Sequence, residues 1–555
     1  MNKKQILILI LILSAVLRLY GLSRGDTVND EVFMSFRGVG MIDFDEAAAQ
    51  TTPWEWWDAD RPWWVNLSMH DHPWGVPLVQ NLSMQIFGEN NFAFRLPSAL
   101  LGIGSVYLLY LLGMALYSEN VGLIAAALLG VTLNNIYISR TGMQEPYVIF
   151  FLLLSSYLLL LSLKNSKYLL WLGLIIGLAA EAKYISFILI PIFLTYLAFQ
   201  KREYFREKNL WYGAGIFLLI FSPTIIYNFE LYRAVGHFDF QFSSILGQRP
   251  EVWAVQPGKE IGSLTDRVIN FIPRMIASNS WLFLSLVVAA FLTFLKEFFK
   301  DAKNSIKRHF FLILSTFYLL TLLLIVGPSY RFLTLLTPFL ALSTAIFLEV
   351  IYSNVLKNIR IDYLKKVIYL VAGAALIFEI FYSINNQIIY YPIGPTPWLA
   401  SKIRYENYNW GYNELADYLN KELEGKMPGI TFDLKYHFLE KLRQKALADG
   451  QEKGLELYPA LFVYEGNFDG GSKLWVLDRL HIYHAWPIIS LQTYYEDLRQ
   501  NGFDYFDRVG FKNYYFILQT NIAGSPEIKA LERGVLVKIY NKRGDEAFKI
   551  YKQNF

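Results

Sequence analysis

Eleven apolar blocks partition most of the 555 residues, near 5–22, 96–117, 120–138, 143–163, 168–181, 183–199, 209–228, 278–298, 309–327, 331–353 and 364–385. Most approach the roughly 20 apolar residues that carry a helix across a bilayer. Lipid admits only backbones whose polar groups are bonded internally, which for blocks of this kind means helices. The blocks predict a polytopic α-helical membrane protein of about eleven spans. Lys3 and Lys4 ahead of Ile6–Leu17 imitate a secretory signal, but no small-residue cleavage pattern follows before Arg18, so this block is read as an uncleaved first span.

Loop charge orients the blocks, because cytoplasmic loops collect Lys and Arg. With the N-terminus inside, the basic loops at Lys164/Lys167, Lys201–Lys208, Lys296–Arg308 and Lys357–Lys366 all fall on the cytoplasmic face. The loops 23–95 and 229–277 and everything after 385 then fall outside. The first loop carries Pro53-Trp54-Glu55-Trp56-Trp57 and Arg61-Pro62-Trp63-Trp64, and indole rings favour the membrane boundary, so it is expected to lie on the bilayer. Residues 386–555 change character: charged helical stretches at 412–423 and 436–448, strand-like runs at 461–464 and 514–518, and a hairpin turn at Lys542–Asp545 predict a soluble extracytoplasmic α/β domain. The expected division is a membrane domain, 1–385, and an outer domain, 386–555.

The chain has no cysteine, which excludes disulfides, thiolate catalysis and Cys-type zinc sites. A net charge of +4, spread between apolar blocks, implies no nucleic-acid partner. The informative charges sit at span ends: Asp30 and Glu31 after the first, His70, Asp71, His72 and Arg95 before the second, Arg140 and Glu145 at the fourth, Glu181 and Lys183 between the fifth and sixth, and Arg331 opening the tenth. On the orientation set by other loops, all face outward, and the span centres are read as free of ionisable groups.

Carboxylates mixed with cations at the membrane surface suit transfer of a group from a lipid phosphate to a hydroxyl. Guanidinium forks and ammonium groups match phosphate oxygens, and a carboxylate can take the proton of the attacking hydroxyl. A second carboxylate beside the first raises the basicity of one of the two, which the Asp30-Glu31 pair supplies. The bland reading of that pair is a solvated helix end, and Arg95 and Arg140 read equally as snorkelling helix-end residues. Glu181 and Lys183 could neutralise one another. His70-Asp71-His72 offers at most two imidazoles and a carboxylate, which leaves a divalent metal open without assigning a metal residue.

The Asp-Glu pair after the first helix, His72-Pro73, Phe87-Gly88, Phe94-Arg95-Leu96-Pro97-Ser98, Ser139-Arg140-Thr141-Gly142-Met143-Gln144-Glu145-Pro146, Gly177 to Lys183, and Tyr330-Arg331-Phe332 leading to Pro338 occur in an order that resembles the GT-C membrane glycosyltransferases. The nearest groups are the dolichyl-phosphate-mannose protein mannosyltransferases and the aminoarabinose transferases acting on lipid A. The resemblance implies a hexose or pentose donated from a polyprenyl phosphate, an inverting transfer, and a protein, glycolipid or glycan acceptor at the outer face of the plasma membrane. It implies Asp30 as base or acceptor-binding carboxylate, Glu31 as its neighbour, Glu145 as second acid or acceptor-positioning group, and His72, Arg95, Arg140, Lys183 and Arg331 as substrate-binding residues. Residues 386–555 inherit no role from it. Two departures, Asp71-His72 and Phe33, stand where the lipid-A enzymes carry other residues and shift phosphate binding to the later cations. A lipid-linked-sugar transporter or an inactive binding relative are the rival readings. A transporter calls for ionisable groups at the midplane and interrupted helices.

Overall fold

A computed structural model describes residues 2–27, 30–47, 50–253, 262–354, 362–403, 409–520 and 534–554. Among the described residues, seven helices are long and apolar enough to cross a membrane, from Asn91–Leu116 to Tyr363–Gln387. The pair Glu119–Val131 and Leu133–Ser139, bent by 63°, passes the same test of length and composition when taken together. The other three expected spans are shorter helices, Lys3–Leu19, Tyr168–Ala182 and Tyr184–Gln200. Helix packing follows the membrane rule that small residues let backbones approach: a Cβ at Gly173 would lie 1.9 Å from the Gly213 carbonyl oxygen, so Tyr168–Ala182 and Lys208–Val235 meet there backbone to backbone.

Two features correct the expectation of uninterrupted, charge-free spans. At the 63° bend the helix loses its ladder, and Arg18 of the first helix supplies the missing donors, to the carbonyls of Leu129 (3.3 Å) and Gly130 (3.0 Å) and to Asn135 Oδ1 (2.6 Å). Glu379 lies inside the last span, 4% exposed, where it accepts a hydrogen bond from Ser280, the N-cap of Trp281–Lys300. Both charges serve helix ends, as the free N–H and C=O groups there require.

The chain forms two compact units, Met1–Ser23 with Trp63–Tyr405 and Arg24–Pro62 with Glu406–Phe555. The first unit thus runs past the expected boundary at 385, and the second takes in the front half of the first loop. In the second unit, β1 (Lys426–Pro428) pairs in parallel with β2 (Glu456–Tyr458). A five-stranded sheet has the order β4-β3-β5-β7-β6, where β3 is Ala460–Tyr464, β4 Ile488–Ser490, β5 Asn513–Gln519, β6 Val535–Tyr540 and β7 Glu546–Asn554. β3 pairs in parallel with both β4 and β5, while β5, β7 and β6 run antiparallel. The turn joining β6 to β7 is the Asn541–Asp545 hairpin with Gly544 at φ +89°.

Capping explains why residues 24–62 belong to this unit. Tyr412–Glu422 has Gly411 and His437–Glu452 has Tyr436 at the N-cap, and neither supplies a capping side chain. Asp26 caps the first, accepting from the backbone N–H of Trp410, Gly411 (3.2 Å) and Asn413 (2.9 Å). Asp58 caps the second through the N–H of His437 (2.7 Å) and Phe438 (3.1 Å). A carboxylate at each N-terminus also meets the positive end of the helix dipole. Trp54, expected on the bilayer, is buried against Phe438 with the Arg61 guanidinium 3.7 Å above it, whereas Trp63 is exposed.

A pH response follows from the Lys473–Asp478–Glu46 cluster, in which Lys473 Nζ lies 2.7 Å from Asp478 and 3.7 Å from Glu46. Burial, reinforced by the Glu46 charge, pushes Asp478 up to about 7. The folded carboxyl therefore holds its proton more tightly than an unfolded one at ~4, and its contribution to stability is lost as pH rises towards about 7. Thermal unfolding of the full chain should show the transition of the second unit falling between about pH 4 and about pH 7, with a shallower fall in Asp478→Asn.

Candidate functional site

Three of the expected residues converge in the first unit although they are far apart in sequence. Glu145 opens the helix Glu145–Ser162, with Pro146 fixing its first turn, and acid is favoured at that helix end. Lys183 ends Tyr168–Ala182 in an extended conformation, φ −167° and ψ 136°, where a cation is favoured. Arg331 lies in the short turn Tyr330–Leu333, which Ser329 caps. Lys183 Nζ donates to Glu145 Oε1 at 2.7 Å, and Arg331 Nε lies 3.9 Å from the same oxygen. The Phe332 ring lies 5.0 Å from the ammonium and 4.8 Å from the guanidinium, within cation–π range. Glu145 is 1% exposed and Arg331 is partly open. Two cations thus converge on one buried carboxylate. Lys183 pairs with Glu145 and not with neighbouring Glu181, which accepts from Thr224 Oγ1 at 3.0 Å.

The other two arginines have structural work. Arg140 donates to the carbonyls of Leu17 (3.1 Å), Arg18 (3.1 Å), Tyr20 (2.8 Å) and Gly21 (2.8 Å), and Arg95 to that of Leu22 (3.3 Å). Both are buried. They satisfy the carbonyls where the first helix ends, the groups a helix C-terminus leaves free.

Asp71 lies between two imidazoles, 3.2 Å from His72 Nδ1 and 3.9 Å from His70 Nδ1. Two imidazoles and a carboxylate are donors that a zinc-type ion accepts. The segment is fixed from the loop after Lys208–Val235: Phe240 N–H donates to the His70 carbonyl at 2.7 Å, and the Trp253 ring lies 6.2 Å from the His70 ring. Asp239, which sequence reasoning passed over, anchors that loop. It caps Phe240–Ile245 and accepts from Tyr184 Oη (2.7 Å) and Asn228 Nδ2 (2.9 Å). Burial pushes Asp239 up to about 6. An aspartate at the start of Phe240-Gln241-Phe242 was the available signal, an N-cap ahead of an apolar turn.

Asp30 and Glu31 open the helix Asp30–Gly40 in the second unit. Glu31 is fully buried at 0% exposure and Asp30 is half-buried.

The family described as dolichyl-phosphate-mannose-protein mannosyltransferase matches residues 71–227. Two Bacillus subtilis (strain 168) proteins are similar over part of the chain. "Putative mannosyltransferase YkcB" is 28% identical over 38% of this chain and 29% of its own length. YycA, which carries the same description, is 29% identical over 36% and 28%. The matched stretch thus spans less than a third of either relative. Among solved structures, ArnT from Cupriavidus metallidurans in the apo state matches 98% of this chain and 97% of its own, with a TM-score of 0.51 at 11% identity. The apo oligosaccharyltransferase of Archaeoglobus fulgidus matches 93% and 69%, with a TM-score of 0.51 at 14% identity. The chain shares their fold, a helical membrane protein with a sheet-containing C-terminal domain, and resembles the GT-C glycosyltransferases.

Proposed function

We propose that the chain is an integral membrane glycosyltransferase that takes a hexose or pentose from a polyprenyl-phosphate carrier and passes it, with inversion, to a hydroxyl of a protein, glycolipid or glycan. Convergence of Lys183 and Arg331 on Glu145 carries this reading; the matched family's description, naming a lipid-phosphate sugar, supports the donor class. Asp30 takes the proton of the acceptor hydroxyl. The freed oxygen attacks the anomeric carbon opposite the phosphate, the carbon–oxygen bond to phosphate breaks, and its electron pair stays on the phosphate. A phosphodiester of one negative charge becomes a monoester of two, so charge grows on the leaving group. Fixed cations act most strongly on charge that develops in the transition state, which is the role of Lys183 and Arg331. Glu145 holds the two cations in place, Glu31 supports the Asp30 helix from its buried position, and His72 contacts the substrate.

The reaction takes place at the outer face of the plasma membrane, with the N-terminus cytoplasmic. Absence of cysteine makes this directly testable. A single cysteine at Phe503, 90% exposed, should react with an impermeant maleimide added outside intact cells, and one at Phe299, 81% exposed, only after lysis; the reverse pattern overturns the orientation.

Purified protein reconstituted with radiolabelled polyprenyl-phosphate sugar separates the readings. Label on an acceptor supports transfer. Label crossing the bilayer without product is the transporter outcome, and neither is the inactive-relative outcome.

A further inference from the structure

The helix Asp30–Gly40 is held by the C-terminal domain. It lies against the segment Gly470–His484 that joins β3 to β4. The hold has three parts. Asp26, four residues before Asp30, caps Tyr412–Glu422, and Asn413 Nδ2 donates back to the Gly25 carbonyl at 2.8 Å. Ser472 Oγ donates to the Thr27 carbonyl at 3.1 Å. At the far end, Tyr483 Oη donates to the Phe36 carbonyl at 2.8 Å, and its ring lies 5.1 Å from that of Phe36. Gly40 admits the same ring: a Cβ there would stand 2.3 Å from Tyr483 Cε1. Inside the grip, Arg37 is 1% exposed and paired with Asp45, which fixes the turn after the helix.

A helix fastened at both ends has one orientation, and so has the carboxylate in its first turn. We infer that the C-terminal domain is the positioning platform for the Asp30 carboxylate, with Asp26 and Tyr483 as positioning residues for the transfer. This inference rests on the proposed role of Asp30. It gives residues 406–555 a part in the reaction that the resemblance did not supply. It also accounts for a long domain whose first capping group lies hundreds of residues away in sequence.

The test uses the full chain in lipid and reads two quantities in the same samples: hydrogen–deuterium exchange of amides 30–40, and kcat and donor KM for sugar transfer. Gly40→Ala should lose protection over 30–40 while the spans keep theirs, and kcat should fall about 10²-fold, as for misplacement of a catalytic group by about 1 Å, with donor KM unchanged. Tyr483→Phe and Asp26→Asn should do the same to a lesser degree, and Tyr483→Phe carries the test if Gly40→Ala does not fold. Adding Tyr483→Leu to Gly40→Ala makes room for the new methyl group and should restore part of both quantities. Loss of protection with unchanged kcat overturns the inference, as does wild-type protection in Gly40→Ala or parallel loss of protection across the spans. Asp30→Asn assayed alongside isolates the underlying reading: a wild-type rate there overturns the base assignment, while the exchange data still report whether the grip exists.

Discussion

Asp30→Asn should insert, fold and bind the lipid donor as the wild type does, and lose about 10²–10⁴-fold in kcat, the usual contribution of a positioned general base. The change is isosteric and affects a half-buried side chain, so packing should be preserved. Glu31→Gln should behave differently. Glu31 is fully buried in the helix that the C-terminal domain grips, and its loss should appear first in stability and only secondarily in rate. The comparison decides which of two adjacent carboxylates takes the proton, a question that sequence alone left open. Single-turnover transfer with saturating donor is the direct measurement. A wild-type rate in Asp30→Asn, or a pure rate defect in Glu31→Gln, would transfer the role to Glu31 or remove it from the pair.

Spans were legible because a long apolar run in lipid has little choice but to be a helix. The expected block 331–353 is the helical stretch Tyr330–Ser353, and 168–181 is Tyr168–Ala182. The strands at 461–464 and 514–518 emerged as β3 and β5, from their β-branched and aromatic runs. What composition could not show was the break after Val131 or the burial of Arg18 and Glu379, since both depend on which helix end lies beside which side chain. Nor did it show that 24–62 packs with 406–555. A signal existed in Gly411 and Tyr436, poor N-caps at the start of two clear helices, but the partners Asp26 and Asp58 lie far away in sequence.

For the candidate site, residue type was legible and assignment only partly so. Lys183, Arg331 and Glu145 looked like members of one charged site, and the structure brings them together. Arg140 looked the same and donates to four carbonyls at the end of the first helix. A guanidinium at a span end serves a phosphate or a helix C-terminus equally well, and only the neighbouring backbone separates the two.

Lys183→Met should therefore have a double effect. It leaves Glu145, 1% exposed, with only the Arg331 guanidinium 3.9 Å away as compensation among these three residues. Removing one member of a buried pair costs about 3–5 kcal/mol, so the thermal transition of the first unit should fall and yield should drop. Replacing both members, Lys183→Met with Glu145→Gln, removes the carboxylate charge together with its ammonium partner and should recover most of that stability, because a pair exchanged for neutral groups is often close to neutral. Transfer should not recover. The departing phosphate gains a charge that Lys183 no longer meets, and loss of one such electrostatic contact costs about 10²–10³ in kcat. Lys183→Arg keeps the charge with different reach and geometry, and should retain stability with intermediate activity. Thermal unfolding and donor kinetics on the same three variants separate the two roles. Wild-type transfer by the folded double variant would show that Lys183 exists to neutralise Glu145, and would leave Arg331 as the cation that meets the phosphate.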